Sequence, residues 1–137
     1  MREWDSWFNP ADYGQAMLDF FESSRAAWPR LQAESNPVPV RLNVVRVGDA
    51  AICFNPAELF VRFGIGIKQR SPATTTLIAE LSDGYIGYVP TPEAIRHGGY
   101  SAASAIHTRL IPEAGWMIVE ATVEMLNKCF ALSTQQV

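Results

Sequence analysis

The residues best equipped for chemistry in this chain are one carboxylate and three phenols: Glu58, Tyr85, Tyr88 and Tyr100. Tyr85 and Tyr88 stand in the run Asp83-Gly84-Tyr85-Ile86-Gly87-Tyr88-Val89-Pro90-Thr91-Pro92-Glu93. Its glycines and prolines expose backbone and hold side chains rigidly, as a site loop does. The chemistry on offer is that of oxygen donors and phenolic protons. Each residue also has a purely structural reading. Glu58 lies two residues after Pro56, where a carboxylate satisfies first-turn amides and the dipole of a helix start. Tyr88 reads as a half-buried strand tyrosine with its hydroxyl at the rim, and Tyr100 as a loop aromatic closing over the core. Cys53 and Cys129 show neither zinc spacing nor a disulfide framework and read as buried small hydrophobes. His97 and His107 are the only histidines, and both read as surface or loop residues.

The elements that must position these side chains follow from periodicity and punctuation. Tyr13, Met17, Phe20, Phe21, Ala27 and Trp28 fall near helical spacing and predict a helix from Asp12 to Trp28, which Pro29 kinks or ends. Val38, Val40, Leu42 and Val44 alternate with Pro39, Arg41 and Asn43, predicting a strand with one buried face. The phase then slips at Val45 and Val47, so a bulge near Val44-Val45 or cover on both faces is expected. Gly48-Asp49 turns this strand into a second, Ala50 to Phe54, forming a hairpin. Pro56 starts a helix with Leu59, Phe60, Phe63 and Ile67 on its apolar face. Strands are expected at Thr74 to Leu81 and Tyr85 to Val89, separated by an Asp83-Gly84 turn. Thr91-Pro92-Glu93 opens a brief helix that Gly98-Gly99 stops. Pro112 opens a last helix carrying Trp116, Val119, Val123, Leu126 and Phe130. The order α-β-β-α-β-β-α-α is a mixed α/β arrangement, a mixed sheet with flanking helices in a single domain.

Composition narrows the partners. At 137 residues the chain is the size of one domain, and 48% hydrophobic content excludes intrinsic disorder. Eleven lysines and arginines against 14 acidic residues give a net charge of −3, which argues against a phosphate-tracking nucleic-acid binder. No run of apolar residues is long enough to span a bilayer. The opening Met1-Arg2-Glu3-Trp4-Asp5 lacks the apolar core of a signal peptide, so the chain as written reads as cytoplasmic. Only 18% of residues are charged, where about 25% is usual, and aromatics are plentiful. The expectation is that another chain covers part of the surface, as a homo-oligomer, most simply a two-fold dimer, or as a complex with a partner polypeptide. Trp4, Trp7 and Trp116 are the candidate contacts.

The stretch Asn55-Pro56-Ala57-Glu58-Leu59-Phe60, followed by the tyrosine run, resembles the C-terminal part of the catalytic domain of the neutral/alkaline ceramidases and their bacterial relatives. The resemblance runs from about Val38 to about Leu126 and is sharpest over Asn55 to Ser71 and Ser82 to Ser104. In that family a glutamate in a Pro-Gly-Glu turn opening a helix binds a catalytic zinc. Pro56-Ala57-Glu58 stands at that turn, with alanine in place of the glycine. A Tyr-x-x-Tyr-hydrophobic-x-Thr segment then supplies a second zinc ligand, and Tyr85-Ile86-Gly87-Tyr88-Val89-Pro90-Thr91 matches it with Tyr88 at the ligand position. A further tyrosine near the scissile amide polarises its carbonyl, and Tyr100 stands at the family's spacing from Tyr88. Ser101 replaces the acidic residue that usually follows.

The resemblance thus implies a zinc-dependent amide hydrolase acting on an N-acyl sphingoid or related amide. Glu58 and Tyr88 would bind the metal, and Tyr100 would donate to the developing oxyanion. The family's two histidine ligands and its serine come from motifs that this chain does not contain. It is therefore expected to be a fragment or split part, inactive alone and not binding zinc stoichiometrically. The alternatives are a non-catalytic, self-associating remnant and a small-ligand-binding module that uses the same cleft without metal.

Overall fold

Pro37 and Pro39 carry no N–H to donate to a sheet ladder, and the first strand accordingly begins only after them, at Asn43. The computed structural model describes residues 10–33, 37–98, 100–102, 108 and 110–131. The chain divides into two units, Met1–Asn36 and Pro37–Val137. In the first, helix α1 spans Pro10–Ala33 and continues past Pro29 rather than ending there. Good helix formers on both sides, Ala26 and Ala27 before and Leu31 to Ala33 after, offset the one lost backbone bond. Trp4, Trp7 and Phe8 lie outside the described residues.

The second unit carries the remaining elements. Strand β1 (Asn43–Val47) pairs antiparallel with β2 (Ala50–Phe54). Their connection places φ of +61° at Gly48, its first residue, as a type II′ turn requires. The segment from Val38 to Leu42 is not strand, although Val40 and Leu42 still pack against the core. The β1–β2 register is continuous from Asn43 to Val47, so no bulge accounts for the phase slip at Val45. Nor is that face covered: Val45 and Val47 are 47% and 62% exposed.

A helix was expected to open at Pro56, but residues Ala57–Leu59 form a short strand, β3, and helix α2 spans Val61–Arg70. The reason is visible in the hydrogen bonds. The Asn55, Pro56 and Ala57 carbonyls accept from Ser82, Ile86 and Leu81 amides at 2.9, 3.0 and 3.2 Å, which takes them out of any helical ladder. The Asn55 side chain accepts from the Ala57 amide, fixing the turn. After α2 come β4 (Thr75–Ala79), β5 (Gly87–Val89), α3 (Pro92–His97) and α4 (Ala114–Ala131). Among the described residues the order is therefore α-β-β-β-α-β-β-α-α, one strand more than periodicity predicts.

Strands β1, β2 and β4 form one mixed sheet in that order, with β2 and β4 parallel, and β3 pairs parallel with β5 in a second. Parallel neighbours need a crossover, and α2 supplies it. One face of the three-stranded sheet packs beneath α2 and α4 through Ala51, Cys53, Phe63, Ile67, Val119 and Leu126. Cys53 lies in this core with its thiol pushed up to about 11 by burial and by neighbouring Cys129. It is inert at neutral pH, and Cys129 is only half-buried. Arg70 in the last turn of α2 grips Glu120 of α4 as a fork, Nη1 donating to Oε1 and Nη2 to Oε2, the latter at 2.7 Å. The short helix α3 opens on Thr91, whose Oγ1 accepts from the Ala94 amide at 3.2 Å, and closes at Gly98 with φ of +76°. No helix among the described residues is long and apolar enough to cross a membrane.

Candidate functional site

Two backbone facts assemble the site. The parallel pairing of β3 with β5 sets Glu58 opposite Tyr88. Both are half-buried, while Ala57, Leu59, Gly87 and Val89 on either side are buried. Alternation therefore sends the Glu58 and Tyr88 side chains to the same, outer face of the pair. At Gly87 the backbone has φ of +87°, a conformation that a side chain would strain and that lets Tyr88 enter the strand at once.

The Tyr88 hydroxyl hydrogen-bonds the Glu58 carboxylate, and that bond, helped by partial burial and the Glu58 charge, holds its phenol up at about 12. Tyr85 joins from the loop before β5, its hydroxyl donating to Glu58 Oε1 at 3.1 Å. Its phenol is also raised, first by partial burial and then by the bond to Glu58. Tyr100 completes the group: its ring meets that of Tyr88 edge to face, with centroids 6.0 Å apart and planes at 77°. One carboxylate is thus framed by two phenolic donors, with a third tyrosine packed on the Tyr88 ring.

Glu58 therefore does not cap a helix, as a purely structural reading of its sequence position proposed. It sits on a strand, and its carboxylate is occupied by tyrosines that lie about thirty residues away in sequence. Of the two histidines, His97 is the exposed last residue of α3, and His107 lies outside the described residues. Among the described residues no group of three or more histidine, cysteine or acidic side chains is arranged to hold a metal ion.

Glu80 joins the site without any spacing signal in the sequence. Its carboxyl is raised above the ordinary range by partial burial and by the nearby Glu58 charge, against which the Leu59 amide hydrogen bond acts. Nothing local in the sequence marks this residue, because pairing in space delivers both Leu59 and Glu58 to it. Beside the site lies an open cleft of about 610 Å³, within the range of small-molecule sites. Val40, Pro56 and Ile86 supply apolar lining, together with Arg41 and Asp83, paired at 2.9 Å. Of the four site residues, Tyr85 is the one that lines this cleft.

The arrangement defines the chain as a mixed α/β protein with a carboxylate–tyrosine cluster on the outer face of a two-stranded parallel pair. Compared with known proteins, the chain matches no family model, no curated relative and no solved structure.

Proposed function

We propose that this chain is a split part of a ceramidase-like, zinc-dependent amide hydrolase, inactive alone and completed by a partner polypeptide that supplies histidine ligands. The observation that carries the reading is the juxtaposition of Glu58 and Tyr88 across the β3–β5 register, with Tyr100 packed on the Tyr88 ring. The donor set fits the metal in kind. Zinc accepts carboxylate oxygen and uses three protein ligands at catalytic centres, so a carboxylate and a phenol on one face form part of a site. When bound, zinc supplies Lewis acidity toward the amide carbonyl and water.

The chain's own residues divide the remaining work. Glu58 and Tyr88 would hold the metal, Tyr88 as the phenolate with its proton passed to solvent. Tyr100 would donate its phenolic O–H toward the carbonyl oxygen where negative charge develops. The substrate class is an N-acyl sphingoid lipid or a related amide. The decisive experiment combines the chain with the polypeptide bearing the histidine motifs and measures fatty-acid release from an N-acylsphingosine. Release that disappears with Glu58→Gln and Tyr88→Phe supports the proposal; release indifferent to both rejects it. Titrated alone, the chain is expected to bind zinc no more tightly than about micromolar, because two ligands fall short of a full set. Calorimetry returning stoichiometric nanomolar affinity would contradict the split-site reading.

Assembly follows from the outer face of the three-stranded sheet. Val45, Ile52 and Leu77 lie in register across it, with Val45 47% and Leu77 53% exposed. In the absence of its partner, the chain covers this face with a second copy, in a two-fold dimer. Sedimentation at micromolar concentration should show the dimer, and Val45→Lys should return it to monomers. A wild-type monomer at that concentration removes the self-association proposal. Trp116, whose ring packs edge-on against Phe63 with centroids 5.2 Å apart, is still 40% exposed and stays a candidate contact in addition to this face.

A further inference from the structure

Metal-ligating side chains are commonly aimed by a second residue that binds the ligand and never the ion. The geometry points to Tyr85 as the positioning residue that orients the Glu58 carboxylate by donating its hydroxyl to Oε1. The inference rests on the reading of Glu58 as a metal ligand given above and goes beyond it.

Three observations support it. The first is the bond itself, at 3.1 Å across 27 residues of sequence. The second is how the Tyr85 backbone is held. The loop from Leu81 to Ile86 is stitched to the segment that carries Glu58: Leu81 donates to Ala57, Ser82 to Asn55 and Ile86 to Pro56. Leu81 and Asp83 adopt φ of +52° and +59° within that loop, so its path is set by these bonds and not by local preference. Tyr85 therefore approaches Glu58 from a support fastened to β3 and to the two residues before it. The third is chemical. A phenolic donor on Oε1 fixes the carboxylate plane and neutralises part of the charge on that oxygen, leaving Oε2 the stronger donor toward an ion. The Tyr88 hydroxyl bond must be given up when Tyr88 becomes a ligand, whereas the Tyr85 bond can persist. Without Tyr85 the carboxylate would lose its remaining anchor at the moment of metal binding.

The test is a calorimetric titration of the full chain with zinc ion alone, at protein concentrations high enough to read the weak binding expected of a two-ligand site, comparing wild type with Tyr85→Phe and Glu58→Gln, alongside thermal unfolding of each. Tyr85→Phe is expected to weaken zinc binding about tenfold with its melting temperature unchanged, as suits loss of one hydroxyl from a ring that is 57% exposed. Glu58→Gln should weaken binding far more. If Tyr85→Phe binds zinc as wild type does while Glu58→Gln loses it, the positioning role is overturned and the ligand reading stands. If Glu58→Gln binds as wild type does, the ligand reading fails and the role of Tyr85 with it. A fall in melting temperature that tracks the loss of binding would assign Tyr85 to the fold and overturn the role as well.

Discussion

Gly115→Ala should be among the most damaging single substitutions in this protein, although it adds one methyl group to a helix. Alanine is favoured over glycine in a helix interior by about 1 kcal/mol, so propensity alone forecasts a gain. The structure forecasts the reverse, because a Cβ on Gly115 would stand inside the van der Waals envelope of the Phe63 ring. Phe63 has no free direction. It is wholly buried, and the Trp116 ring meets it at 84°. Trp116 in turn lies against Gly66, where an added Cβ would come within 3.3 Å of its Cζ3. Helices α2 and α4 would have to separate, at an overpacking cost of about 1–3 kcal/mol or more, which outweighs the propensity gain. Urea unfolding should show a lower midpoint at unchanged slope. Phe63→Leu in the Gly115→Ala background should recover part of the loss, and the double-mutant cycle should give a coupling of about 0.5–3 kcal/mol. Simple additivity of the two changes would show that the ring and the glycine do not share this space.

The second large effect is on the titration of Tyr88. Its phenol is held at about 12, with the hydrogen bond to Glu58 as the leading cause. Glu58→Ala removes the bond and the charge together, so the Tyr88 transition should fall toward the ordinary tyrosine value of 10.0. Ultraviolet absorbance of the phenolate measures it, with Tyr88→Phe identifying which transition belongs to this residue. Glu58→Gln keeps an acceptor without the charge and should give a smaller fall. The linkage has a definite sign. The folded-state pKa lies above the unfolded value, so the bond's contribution to stability is fully present below pH 10.0 and is lost as pH rises through about 12. Alkaline unfolding of the wild type should therefore begin in that window, and Glu58→Ala should flatten the dependence. A Tyr88 transition that stays near 12 without Glu58 would mean that burial, the second cause, dominates instead.

Much of the secondary structure was legible because its signals are local. The Gly48-Asp49 hairpin, the Thr91 cap with Gly98 as stop, and the three- and four-residue spacing of Val119, Val123 and Leu126 each involve interactions spanning a few residues. The misreading at Pro56 has a long-range cause. Pro56 is a sound first-turn proline, and Glu58 a sound first-turn carboxylate. Yet the Asn55, Pro56 and Ala57 carbonyls around them are claimed by the Ser82, Ile86 and Leu81 amides, about 25 to 30 residues away. The alternation that began at Val38 promised a strand, and two prolines withheld its donors. The slip at Val45 and Val47 implied a bulge or a cover, and the structure has an open apolar face instead.

By itself the sequence determined the mixed α/β class, the core-facing helix stripes, and the candidates Glu58, Tyr85, Tyr88 and Tyr100 as residue types in rigid surroundings. Only the tertiary structure decided that these four meet, and how. The pairing of β3 with β5 turns a separation of thirty residues into direct opposition of Glu58 and Tyr88. The loop from Leu81 to Ile86 then delivers Tyr85 to the same carboxylate, and Glu80 arrives beside it. The physical reason is that strand pairing and loop anchoring are formed by backbone groups, which every residue carries alike. Side-chain type marks who is able to act at such a site, and the register of the backbone sets who stands together.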